Sequence, residues 1–269
     1  MRLPCLLLLS LALLAAPAAA RPKRIVSLNL CADQYLLALA DPGQIAALTL
    51  FARDPQMSAG AAQAAKLPVS RGSAEDVLAL EPELIIASPW HRLETVRAVK
   101  GSGLATLDLP SAESYDAIVA QIRQVAAAVG HPARGEALIK RMNASLAALP
   151  EPATRGAIAA YYQRRGFLTG TGTLVDELMT RAGLVNLATR LDGSALSRLS
   201  VEQMVAAKPD YLILETATRQ ITDQGTEMLH HPALSDIRRL YLPQAWTVCG
   251  GPAYVLAAES LAKQLRAAR

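Results

Sequence analysis

Two sixteen-residue stretches, SAEDVLALEPELIIAS at 73–88 and SVEQMVAAKPDYLILE at 200–215, constrain the fold of this 269-residue chain more than any other feature. Both run in the same order: a Ser, a Glu two residues on, an apolar helical face, a Pro followed by an acid, then an apolar run. Ser73 and Ser200 can each cap a helix, and Pro82 and Pro209 can each stop it before a strand begins. A helix-strand unit repeated at so wide a spacing predicts two lobes of similar fold, not a short-period solenoid.

The rest of the chain fills in those lobes. Strands are expected at 24–28, 45–50, 84–87 and 103–107, with helices at 33–40, 74–80 and 91–100. In the second half, strands are expected at 156–162, 211–214 and 246–248, and helices at 174–182, 201–207, 234–240 and 254–268. Short apolar strands alternating with helices are the pattern of parallel sheets covered on both faces. After the break at Gly130–His131–Pro132, a helix of about 25 Å would link the halves before Pro150 and Pro152 end it. The expected organisation is therefore an N-terminal α/β lobe at 21–131, an interlobe helix at 132–149 and a C-terminal α/β lobe at 150–269.

Residues 1–20, MRLPCLLLLSLALLAAPAAA, have one positive charge, a short apolar core broken by Pro17, and small residues at Ala18 and Ala20. This is the layout of a secretory signal peptide cleaved after Ala20, and it is too short and interrupted for a membrane anchor. The formal charge of +4 is spread along the sequence with no concentrated basic stripe, which speaks against a nucleic-acid partner. Cys5 leaves with the leader. An exported chain then keeps Cys31 and Cys249, which can pair in an oxidising compartment but do not make a disulfide scaffold.

No metalloprotease helix motif, G-x-S-x-G elbow or P-loop is present, and GTGTLVDEL at 170–178 lacks the phosphate-binding lysine. Asp33 and Asp54 stand without a nearby base or nucleophile, so no catalytic residues are assigned and the chain does not read as an enzyme. In open α/β sheets, ligands meet the carboxyl ends of strands. That places Trp90, His91 and Arg92 at a ligand surface on the first lobe, with Trp90 as a lobe-core residue the competing reading. On the second lobe the same argument selects Tyr161, Tyr162, Arg164 and Arg165, which could stack on a planar ligand and pair with its carboxylates or phosphates. The competing reading there is an exposed loop without function. No metal site is assigned; a secreted metal-dependent α/β hydrolase using His91, His230 and His231 is the alternative from another class, and a metal chaperone a further one.

Four segments in order, RIVSLN, SAEDVLALEPELIIA, GTLVDELMTRAGLVNLA and SVEQMVAAKPDYLIL, resemble the periplasmic solute-binding proteins of cobalamin and ferric-siderophore ABC importers. The resemblance covers essentially the whole chain after the leader. It implies the class III fold, two Rossmann-like lobes with central parallel sheets joined by a single long backbone helix, and little lobe movement. It also implies a periplasmic, monomeric, non-enzymatic receptor without intrinsic cofactor, serving an inner-membrane permease dimer with its ATPase. Glu75 and Glu202 match the family glutamates that contact permease arginines, and Trp90 falls near a family tryptophan of the corrinoid pocket, although Pro89 intervenes. The implied ligand is a bulky metal chelate. The tyrosines and arginines suit an anionic ferric siderophore or haem, cobalamin is the alternative, and Asn29 could donate a hydrogen bond. The sequence departs from the family opening at SLNLCADQ. Three readings of Cys31 and Cys249 stay open: a bridge between lobes if both loops face the crevice, two independent buried thiols, or direct contact with ligand or metal.

Overall fold

The computed structural model describes residues 21–89, 93–152, 154–191 and 193–268. The first lobe is built on strands β1 (Ile25–Ser27), β2 (Ile45–Thr49), β3 (Val69–Ser70), β4 (Leu84–Ala87) and β5 (Ala105–Asp108). They form one parallel sheet in the order β3-β2-β1-β4-β5. Helices α1 (Leu30–Leu39), α2 (Ala61–Ala64), α3 (Ala74–Leu78) and α4 (Leu93–Gly101) connect them. β1 and β4 are buried at every position, as strands covered on both faces must be. Helices α5 (Tyr115–Ala128) and α6 (Pro132–Ala147) then lead to the second lobe. There β6 (Ala157–Tyr161), β8 (Leu184–Asn186), β10 (Tyr211–Glu215) and β11 (Arg238–Leu242) form a parallel sheet in the order β11-β10-β6-β8. A small antiparallel pair, β7 (Phe167–Thr169) with β9 (Leu196–Arg198), sits beside it. Helices α7 (Leu174–Arg181), α8 (Val201–Ala207), α9 (Gln224–Glu227) and α10 (Tyr254–Ala267) complete the lobe.

The two repeated stretches are α3–β4 and α8–β10, and they do the same work in each lobe. Ser73 and Ser200 cap their helices by accepting from the amides of Asp76 and Gln203. The residue before each proline, Glu81 and Lys208, takes a left-handed conformation, with φ of 46° and 47°. That turn ends the helix and leaves Pro82 and Pro209 buried at the start of the strand. The acid after each proline ties the strand to its neighbour. Glu83 accepts from the Lys23 amide just ahead of β1, and Asp210 accepts from the Ile158 amide of β6, both at 2.7 Å.

One apolar core runs through both lobes. It joins Ile25, Leu36 and Ile86 of the first lobe to Tyr161, Leu174 and Tyr211 of the second by way of Ile122 and Ile139 on α5 and α6 and Leu261 on α10. Gly135 allows close packing of α5 and α6, since a Cβ there would lie 2.6 Å from Ala126 Cβ. Two expectations fail in the second lobe. Residues 234–240 do not form a helix: a short 3-10 turn at Pro232–Leu234 gives way to β11. Residues 246–248 are not a strand, because the chain has already turned through a 3-10 segment at Gln244–Trp246. No helix among the described residues is long and apolar enough to cross a membrane.

Candidate functional site

The carboxyl ends of both sheets open onto one crevice. From the first lobe, Leu28 and Asn29 follow β1, Thr49 ends β2, Ser88 follows β4, and Leu109 to Glu113 follow β5. Facing them are Leu174 at the start of α7 and the Thr247–Gly250 segment ahead of α10, which together enclose about 390 Å³. The crevice continues into a second hollow of about 300 Å³ through Glu113, Leu174, Thr247 and Val248. Its wall there holds Tyr161 at the end of β6, Thr169 at the end of β7 and Glu215 at the end of β10. Volumes of this order are those of small-molecule clefts.

The floor is fastened in three places. Cys31 and Cys249 form a disulfide with a Cα–Cα distance of 5.3 Å, one cysteine from each lobe. The Tyr35 hydroxyl donates to the Gly250 carbonyl at 2.8 Å. Gly250 is required where it is, because a Cβ would sit 2.1 Å from the Ala112 carbonyl oxygen. The third fastening is a pair of reciprocal caps: Glu113 accepts from the Leu174 amide at the start of α7 at 3.0 Å, and Glu177 of α7 accepts from the Tyr115 amide at the start of α5. Each carboxylate satisfies an orphan amide of a helix in the other half of the molecule.

The residues singled out in the sequence divide. Asn29 lines the crevice, but its Oδ1 is the N-cap of α1, accepting from the Cys31 and Ala32 amides at 2.8 and 3.2 Å, so only its Nδ2 is left to donate. Tyr161 lines the second hollow, with its hydroxyl on the Thr247 hydroxyl at 3.0 Å. Tyr162 does not reach the crevice. Successive strand residues point to opposite faces, and Tyr162 is fully buried beside Leu168, Leu199 and Leu229, donating to the Leu199 carbonyl at 2.8 Å. Arg164 is half-exposed and paired with Asp223, outside the crevice lining. Arg165 has φ of 60° and lines a separate hollow with Arg198, Ser200 and Asp223 on the second lobe. Trp90, His91 and Arg92 lie outside the described residues. His230 bonds the Thr218 carbonyl at 2.7 Å, and His231 accepts from the Ala233 amide. Among the described residues no cluster of three His, Cys, Asp or Glu could hold a metal ion.

Two buried acids near the crevice escaped the sequence reading as site residues. Asp33 on α1 is fully buried under it, and burial raises its pKa to about 6 against the opposing hydrogen bonds of Ser27 and Thr49. Glu215 is 8% exposed and lines the second hollow; burial raises its pKa, and the field of Arg164 opposes that rise. The signal for Glu215 was its place as the last residue of YLILE, a charge closing a buried strand.

Glu75 and Glu202 are exposed in the first turns of α3 and α8, at the same place in the two repeated units. Both carboxyls are held below the ordinary carboxylate range. At Glu75 its own amide contributes most and the Ser73 hydroxyl next; at Glu202 the Ser200 hydroxyl leads and its own amide follows.

The profile of a family described as Periplasmic binding protein matches residues 25–238. A "Cobalamin-binding protein" of Halobacterium salinarum is 25% identical over 198 residues, 71% of this chain but 53% of that protein, so the match spans about half of that relative's length. A "Vitamin B12-binding protein" of Pectobacterium atrosepticum is 24% identical, covering 94% of this chain and 92% of that one. Among solved structures, the apo periplasmic heme-binding protein RhuT of Roseiflexus sp. RS-1 is 27% identical and superposes with a TM-score of 0.73, covering 91% of this chain and 98% of that chain. With two parallel-sheet lobes, helices joining them, an interlobe crevice and a family match over most of its length, the chain belongs to the periplasmic binding proteins.

Proposed function

We propose that this chain is the periplasmic binding component of an ABC importer, a receptor without catalytic activity that captures a bulky metal chelate in the interlobe crevice. It delivers that ligand to an inner-membrane permease dimer with its ATPase, docking through Glu75 and Glu202. Two exposed acids at equivalent places in two repeated units suit a partner that offers two equivalent basic pockets. The names of the relatives, for cobalamin and for heme, support the ligand class.

Within that class, the chemistry of the crevice supports a corrinoid over an anionic iron chelate. The observation that carries this reading is charge. The described lining contains Glu113 and Glu215, and no Arg, Lys or His. Haem propionates and carboxylate siderophores would meet negative charge there, whereas the uncharged carboxamides around a corrin ring would meet acceptors and hydroxyls. Arg164, Arg165 and Tyr162, which suited an anionic chelate, stand elsewhere. Haem is the second reading, on the likeness to the Roseiflexus protein. Against it, Tyr161 has its hydroxyl on Thr247, and burial pushes its pKa up, opposing the phenolate that would bind iron. Titrating the purified chain with cobalamin, haem and a panel of ferric siderophores tests the choice. Saturable binding of cobalamin without response to the iron chelates is expected; the converse pattern refutes the corrinoid reading.

A further inference from the structure

The carboxyl of Glu215 stands out among the crevice groups. The residue as a whole is 8% exposed and lines the second hollow, where its carboxylate oxygens stay open to solvent. Its neighbours on that wall are already committed: the Tyr161 hydroxyl pairs with Thr247, and Gln163 Nε2 donates to the Thr169 hydroxyl at 2.9 Å. The Thr218 hydroxyl donates to the main-chain carbonyl of Glu215, not to its carboxyl, and no described side chain is hydrogen-bonded to that carboxyl. The cation whose field reaches it, Arg164, is paired with Asp223. A carboxyl with no protein partner on the wall of a hollow exchanges its water for whatever donor a ligand brings, and a ligand without one leaves it desolvated and unpaired. Its place on the wall of the second hollow makes a ligand in the crevice its natural partner.

We propose that Glu215 is the polar anchor of the crevice, taking a carboxamide of the ligand and rejecting chelates that bring a carboxylate to the same spot. The proposal rests on the corrinoid reading above and deepens it. A primary carboxamide has both N–H donors and a carbonyl acceptor, so it matches this group in either protonation state. A ligand carboxylate meets like charge in a place with no free cation on the described wall.

The experiment uses the full exported chain and the isosteric variant E215Q, titrated at neutral pH with two ligand pairs. The first pair is cyanocobalamin and its monocarboxylic acids, each with one peripheral carboxamide hydrolysed. The second is haem and haem with both propionates converted to amides. At least one corrinoid monocarboxylate should bind the wild-type chain about tenfold or more weakly than cyanocobalamin. In E215Q that penalty should shrink to threefold or less, with an unchanged thermal melt showing that the fold is intact. Equal binding of all monocarboxylates by the wild-type chain overturns the proposal without any variant, as does a penalty that persists in E215Q. A wild-type chain that prefers haem to its diamide also overturns it. A chain that ignores cobalamin but prefers the diamide to haem keeps the role of Glu215 and refutes only the corrinoid reading. Binding of none of the four refutes both.

Discussion

Reducing the Cys31–Cys249 bridge probes how the lobes are held together. The cysteines are 218 residues apart in sequence, so the bridge closes nearly the whole described chain into one loop. Closing a loop of that length in the denatured chain lowers its entropy by an amount equivalent to about 5 kcal/mol at 25 °C. Denatured chains are more compact than the ideal coil in that estimate, so about 3–5 kcal/mol is the expected loss on reduction. The bridge also lies where Tyr35, Gly250 and Ala112 already bring the lobes together, so the native contacts persist without it. The assay is urea denaturation with and without dithiothreitol, followed by far-ultraviolet circular dichroism and by tryptophan fluorescence. Both probes should report one shared transition in each redox state, because a single apolar core spans the lobes. A loss below about 1 kcal/mol would refute the entropic argument. A reduced protein that unfolds in two separated steps would refute the continuous core. Peptide mapping of the untreated protein checks the premise, since free thiols at both positions would remove the bridge itself.

Four further outcomes follow from the same geometry. Charge reversal at Glu75 or Glu202 should weaken docking to the permease about tenfold each, in a vesicle transport assay, while leaving ligand affinity within twofold, because both acids are exposed and neither is part of the crevice lining. Asp33 has a raised folded pKa, so the native state holds its proton more tightly than the unfolded chain, and stability falls as pH rises from about 4 to about 6. That loss is about 3 kcal/mol by neutrality, and denaturation of D33N across this range should show it flattened. Replacing Glu113 or Glu177 by Ala should cost about 1 kcal/mol each and speed hydrogen exchange at the Leu174 or Tyr115 amide, respectively. Gly135→Ala, which in an isolated helix would stabilise, should here destabilise by about 1–3 kcal/mol in a thermal melt, since its Cβ meets Ala126 across α5 and α6.

The parts of the fold that were legible in the sequence are those fixed by local chemistry. The Ser caps, the prolines and the apolar runs of 73–88 and 200–215 each act over a few residues, and the structure has helix and strand where they fall. α1 begins at Leu30, ahead of the expected 33, because Asn29, which also lines the crevice, caps it. Residues 234–240 carry helix-forming types, but Arg238–Leu242 pairs along β10, a long-range contact that no window of sequence reports. The same limit applied to the site. Tyr161 and Tyr162 look equivalent in sequence, and only the parity of the chain at the end of β6 sends one into the core shared by the lobes, beside the crevice, and the other into the separate core of the second lobe. Arg164 became unavailable through Asp223, a partner 59 residues away.

The mechanical design bears on how such a receptor would work. A hinge needs a segment that can absorb a change of φ and ψ. Here the helices α5 and α6 lie between the lobes, with α6 packed on α5 and α10, and the crevice floor is crossed by a disulfide, a tyrosine hydrogen bond and two reciprocal helix caps. Wide opening would break several of these at once and tear a continuous apolar core. In the proposed receptor, binding energy would therefore not be spent on closing the lobes, and selectivity would fall to the groups that line the walls. On the proposed reading, selectivity then turns on the placement of a few charges: among the described residues the lining carries the carboxyls of Glu113 and Glu215, and Arg164, the cation whose field reaches Glu215, is paired with Asp223.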